Sequence, residues 1–327
     1  MYNFVFIFLT VLTLSLQLEA KSPLKAQMET AVRVEQNKPK AQEVHEKMLN
    51  AFHESNWAVV IKEAKYLQVN YQSSPLLSDA YYYMGVASFN QGEFDAANNA
   101  FTDYLKLSQN LRHFEDAVTY KFEIAKAYES GMKKRLFGLK KMPKIMPAKD
   151  EALTVFDEVI SAMPRSELAC QSLYRKAGLL VYFEDYKDAI EMYQTLIRRF
   201  PKNTLAARSF YAIADIYLKQ CQVEFPDPAL IELAEINLKR FQSEYPAEPL
   251  ILDVKQKLVQ MKGVFAEELF TVGNYFIKKK KYDSAFFYFK TIITKYPDTK
   301  YYDMAYKQLS VLKKKSGRPN DFDLPLL

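Results

Sequence analysis

Two cysteines, three histidines, one tryptophan and eight glycines are all that 327 residues supply of those types. Each scarcity excludes something. Cys170 and Cys221 are too few for the disulfide framework of a small secreted domain. His45, His53 and His113 lie in the first third, and no cysteine or carboxylate set around them completes a metal site. No glycine-rich phosphate loop follows a strand pattern, and no serine or cysteine sits in a nucleophile context. The alternation expected of β-strands is missing as well. After Leu18 no stretch approaches the ~20 apolar residues of a membrane-spanning helix. These absences lead to an expectation of a chain without catalysis, cofactor or metal.

What the chain does have is 49% hydrophobic residues, 14% aromatics and a net charge of +6, enough to bury a large core. Phe4 to Leu18 is apolar except for Thr10, Thr13, Ser15 and Gln17. That run fits the hydrophobic stretch of an export signal over residues 1–20, cleaved after Ala20, although no Lys or Arg precedes it. An uncleaved anchor is the alternative. Residues 21–40 read as a linker.

From residue 41 onward one spacing returns. Its cleanest copy is Tyr81, Met84, Gly85, Gly92, Phe94, Ala97, Phe101 and Leu105. Apolar residues at repeat positions 4, 7, 8 and 11 share one face of a first helix. A small residue at position 8 lets a second helix approach, and a proline near position 32 ends that helix. This order resembles the tetratricopeptide repeat, a helical hairpin of about 34 residues. Hairpins are expected at about 41–72, 78–108, 113–164, 170–201, 204–246 and 250–297, with a capping helix at 300–314 and a disordered tail at 315–327. The third contains a long insertion, and the fifth has a turn about eight residues longer around Phe225–Pro228. The expected fold is all-α, a right-handed superhelical solenoid of about six hairpins and a cap. Solenoids of this kind hold partners in a groove.

Val254 to Lys281, then Tyr282-Asp283-Ser284-Ala285, then Ile-Thr-Lys-Tyr-Pro-Asp-Thr at 293–299, resembles the BamD (YfiO) family of outer-membrane assembly lipoproteins. Periplasmic YbgF/CpoB-type repeat proteins look nearly as similar, through Phe200-Pro201 and Tyr245-Pro246. The resemblance implies a periplasmic scaffold associated with the outer membrane. Its partners would be envelope proteins, among them a barrel assembly protein and unfolded barrel clients. The alternative is a scaffold of another envelope system, in cell-wall coordination or secretion. The BamD family carries a lipid-bearing cysteine just after the signal; residues 1–40 contain none, so attachment would run through a partner or through charge.

Two sets of residues stand out as candidate contacts. On the first helix of each hairpin, position 5 reads Tyr82, Phe122, Tyr174, Tyr211 and Phe270, and position 12 includes Phe89. Positions 5, 9 and 12 lie off the core face and would line the concave wall, where a ladder of rings suits an extended peptide. The competing reading is packing between helices, where aromatic rings bury equally well. The second set is the insertion, Gly131 to Pro147, which contains Lys133, Lys134, Arg135, Lys140, Lys141 and Lys144 with no acid and with apolar residues between. It suits an acidic partner or an anionic membrane surface; a solvated loop is the alternative, and nucleic acid is not expected. Lys278–Lys281 closes a helix, where the dipole favours cations.

Overall fold

A computed structural model describes residues 39–107, 111–135, 143–223 and 226–316. The expected export signal, most of the expected linker, Lys140 and Lys141 of the insertion, and the residues beyond Ser316 lie outside the described residues. The chain forms two compact units divided between Tyr120 and Lys121, inside one helix.

The first unit holds α1 (Ala41–His53), α2 (Trp57–Asn70), α3 (Leu77–Asn90) and α4 (Phe94–Lys106). It also holds the first half of α5 (Phe114–Glu129). The second unit takes the rest of α5, then α6 (Lys149–Ala162), α7 (Glu167–Tyr182), α8 (Tyr186–Arg199), α9 (Thr204–Cys221), α10 (Ala229–Glu244), α11 (Leu250–Lys278), α12 (Tyr282–Lys295) and α13 (Tyr301–Ser316). Helices α1 to α4 pack successively on one another within the first unit, and α6 to α13 do so within the second. The all-α solenoid of tetratricopeptide-like hairpins is therefore the fold. The last helix runs to Ser316, two residues past the end expected from its apolar spacing.

Three local rules build the hairpins. The first is close approach. A Cβ placed on Gly85 would lie 2.7 Å from the Phe101 ring, and one on Gly273 would lie 2.8 Å from the Phe289 ring. Both rings are fully buried and have no room to move. The equivalent positions in the third to fifth hairpins carry Ala125, Ala177 and Ala214, all buried.

The second rule is the turn. Ser55, Gly92, Gly131, Glu184 and Lys280 all have φ between 56° and 95°. In each, this residue's N–H bonds the carbonyl three residues back, and the next N–H bonds the carbonyl five residues back. Examples are Gly92 to Phe89 and Glu93 to Ser88, both at 2.9 Å. That is the Schellman closure, which satisfies carbonyls orphaned at a helix end. The third rule is the stop. Met163, Phe200, Tyr245 and Tyr296 each precede a proline and leave the helical region, with φ from −137° to −128° and ψ from 50° to 65°. A following proline ring disfavours helical backbone at the residue before it.

The expectation of no strands fails at one place. Lys133–Arg135 (β1) pairs antiparallel with Lys144–Pro147 (β2), with an irregularity between Lys134 and Arg135. The ribbon escaped the sequence reading because its strands have only three and four residues, four of them basic, with no apolar alternation to register.

In the second unit α11 is 29 residues long and joins two buried clusters, one spanning Cys170 to Phe265 and one spanning Ala266 to Leu312. Cys170 and Cys221 are free, buried thiols. Burial pushes Cys170 up to about 12, with Glu167 adding to the rise, and pushes Cys221 up to about 11. An unfolded thiol ionises first when the folded value is raised, so this contribution to stability is full below about pH 9 and falls above it.

Gly85→Ala and Gly273→Ala should each cost about 1–2 kcal/mol in urea denaturation, because overpacking outweighs improved helix propensity. Gly178 faces open space, its nearest neighbour being the Tyr193 hydroxyl at 4.0 Å. Gly178→Ala should therefore raise stability, by up to about 1 kcal/mol. A thiol-specific chromophore should label neither cysteine in the native protein near neutral pH and both after unfolding.

Candidate functional site

Each aromatic of the expected ladder occupies a defined place. In the first unit Tyr82 is 8% exposed and stacks on His113, centroids 4.1 Å apart and planes 10° apart. It also meets Phe101 and Tyr104 of its partner helix at 6.3 and 5.7 Å. Phe89 lies edge-on to Phe94 at 5.3 Å. In the second unit Phe122 is 3% exposed and meets Phe156 at 6.1 Å. Tyr174 meets Tyr193 at 5.5 Å, and Phe270 meets Phe289 at 5.4 Å. Tyr211 is half-buried under the Lys257 ammonium, 4.6 Å above its ring. With the exception of Tyr211, these rings pack against the second helix of their own hairpin. Position 5 thus contributes to the seam between the two helices.

Tyr174 does more. It lines an open cavity of about 470 Å³ in the second unit, formed by the end of α5 and by α7 and α9. The α7 wall is Gln171, Tyr174, Arg175 and Gly178. That spacing is i, i+3, i+4, i+7, one helical stripe. Gly178 has no side chain to fill the space. The cavity's charges are partly committed. The Arg175 guanidinium donates to Glu129 at 2.8 Å. The Asn203 and Gln171 amides donate to the Glu167 carboxylate at 2.8 and 3.2 Å. Arg208 lines the same cavity, is exposed, and has no ion-pair partner among the described residues. Burial pushes the Tyr174 hydroxyl above its usual value, and the Arg208 charge pulls it partly back.

The sequence reading reached Tyr174 but missed Arg175 and Arg208. The signal was present: repeat positions 2, 5, 6 and 9 form a polar stripe beside the core face. Their convergence depends on α7 lying beside α9, which no single helix reveals.

Of the basic insertion, Lys133 and Lys144 are exposed on the ribbon, and Lys134 makes an ion pair with Glu151. The histidines are dispersed: His45 bonds Asp79 at 3.0 Å, and His113 stacks on Tyr82. Among the described residues no group of three His, Cys, Asp or Glu side chains could hold a metal ion. No described helix is long and apolar enough to cross a membrane.

Hairpin seams, Schellman turns and an open polar cavity between first helices define a tetratricopeptide-repeat protein, and a model of that repeat matches residues 79–110. The model of the YfiO family, described as outer membrane lipoprotein, matches residues 147–315, just over half of the chain. The chain belongs to the YfiO family. No curated protein matches it. Among solved structures it is similar to a tetratricopeptide repeat protein from Parabacteroides merdae, at 14% identity over 78% of this chain and 92% of that one, TM-score 0.34. MamA from Desulfovibrio magneticus RS-1 matches at 14% identity over 67% and 97%, TM-score 0.33. YrrB, titled a TPR protein with an unusual peptide-binding site, matches at 13% identity over 69% and 97%, TM-score 0.34.

Tyr82→Ala should lower stability by about 3 kcal/mol, since it empties a buried ring site. Tyr174→Ala removes a half-buried ring at a cavity edge and should cost less in the same melt. A larger loss at Tyr174 than at Tyr82 would assign Tyr174 to the core alone.

Proposed function

We propose that this protein is a non-catalytic periplasmic scaffold of bacterial outer-membrane protein assembly that holds a partner or client polypeptide along the first helices of its repeats. Membership of the YfiO family supports the setting. The observation that carries the binding reading is the cavity beside Tyr174, open, lined by both polar and apolar groups, with Arg208 uncommitted. Extended peptides are gripped by such surfaces through main-chain bonds to polar side chains and through pockets for alternate residues. Gln171, Asn203 and Arg208 offer donors, and the Tyr174 ring and Leu205 offer apolar contact. Arg208 would engage a carboxylate of the bound chain, because guanidinium matches that group's planar geometry.

The basic ribbon is a second contact in this proposal. Lys133 and Lys144 project from it, with Met132 and Ile145 exposed beside them. The pairing of β1 with β2 holds these groups on a short rigid element rather than a solvated loop. An acidic face on a partner protein fits both the charge and the apolar neighbours.

Crosslinking in intact envelopes followed by purification tests the setting. Capture of an outer-membrane barrel assembly protein is expected; capture of inner-membrane or cell-wall proteins alone would replace this reading with that of another envelope system. Arg208→Glu should weaken binding of barrel-derived C-terminal peptides by at least about tenfold in fluorescence anisotropy, with an unchanged melting temperature. Equal affinity would remove Arg208 and its cavity from the site.

A further inference from the structure

The end of the α11–α12 hairpin carries a feature that neither the groove nor the ribbon uses. Tyr275, Phe276, Tyr288 and Phe287 form a continuous row of four rings, with centroids 5.6, 5.5 and 5.7 Å apart in that order. The two ends of the row face solvent: Tyr275 is 53% exposed and Phe287 is 66% exposed. Beside them the turn is Lys278-Lys279-Lys280-Lys281, all exposed and none with an ion-pair partner among the described residues. Lys279 lies 5.6 Å from the Tyr275 ring. Lys290, one turn beyond Phe287, adds a fifth cation, and Asp283 is the one carboxylate between residues 278 and 290. Lys280 holds φ at 57°, where glycine closes the equivalent turn at Gly92.

We propose that this tip docks on an anionic phospholipid surface, with the rings at the headgroup level and the lysines on the lipid phosphates. The choice of residues decides between lipid and protein. Protein interfaces favour aromatics with arginine and are depleted in lysine. This patch has aromatics with lysine only. Consecutive lysines in a turn point in different directions and are compact point charges without a bidentate fork, so they match a field of many anions better than one carboxylate pair. Long lysine stems keep their charge in water while covering apolar surface, the arrangement found at membrane interfaces. The exposed pair Tyr182 and Phe183 lacks this balance: it is followed by Glu184 and Asp185, and Tyr182 already lies under the Lys149 ammonium at 3.8 Å. The inference is independent of the peptide groove, which lies on α7 and α9.

The test is sedimentation of the full chain with vesicles of phosphatidylglycerol and phosphatidylethanolamine, against vesicles of phosphatidylcholine. The apolar run of residues 4–18 is common to every variant, so differences read the patch. The K278Q/K279Q/K281Q variant should bind the anionic vesicles at least about tenfold more weakly, with an unchanged melt. Wild-type binding should fall as salt rises from about 0.05 to about 0.5 M. A tryptophan in the F287W variant should be quenched by brominated lipid. Equal binding of wild type and the glutamine variant, equal binding to phosphatidylcholine, or no quenching would overturn the proposal. So would crosslinking of residue 287 to an acidic protein without any vesicle binding.

Discussion

The fold depends on how close two helices can come. In the second and sixth hairpins a glycine on the first helix meets a phenylalanine ring on the second, and even one methyl group would overlap that ring. The contact is short because both surfaces are flat there, and dispersion is strongest at such separations. Everything else in a hairpin adjusts to it. The turn must reverse the chain within a few residues, which requires a left-handed residue and the bonds that close a helix end. The second helix must stop before it passes its partner, and the residue before each proline leaves the helical region to do so. The hairpin is then a unit that cannot bury its remaining apolar face alone, and stacking supplies that burial.

The seams hold most of the expected ladder. Aromatic rings at position 5 are large enough to span from the first helix to the second, so Tyr82 and Phe122 are buried in packing rather than displayed on a wall. The stripe next to them is left open. Gly178, Arg175 and Gln171 leave a cavity because one has no side chain and the others extend toward polar partners. The YfiO and tetratricopeptide families, to which its parts are matched, are in general non-catalytic scaffolds.

Charge is placed with similar economy. Lys121 is buried but paired with Glu158, as a buried charge must be. Lys257 and Lys262 are tied to Asp215, Glu235 and Asp298 across the helices of the second unit. The lysines at the tip of the α11–α12 hairpin differ: they stay in solvent, beside rings that stay in solvent too. Local rules account for one such lysine near a helix end, through the dipole. They do not account for four in a row next to an exposed row of aromatics.

The amino-acid sequence by itself determined an all-α fold of helical hairpins and the local signals for their close approach, turns and stops. The small-and-large spacing, the glycines and the Tyr-Pro and Phe-Pro pairs act within a few residues, so they can be read without knowing what lies across the fold. The ribbon was illegible because its short basic strands carry no periodic signal. The cavity was half legible. Tyr174 and Gly178 occupy predicted wall positions, but Arg208 belongs to the next repeat, and only the packing of α7 beside α9 brings it into the same space. Whether a ring at position 5 turns to its partner helix or to the open wall was likewise decided in three dimensions. Ring size suits either direction, and the distance to the facing helix chooses between them.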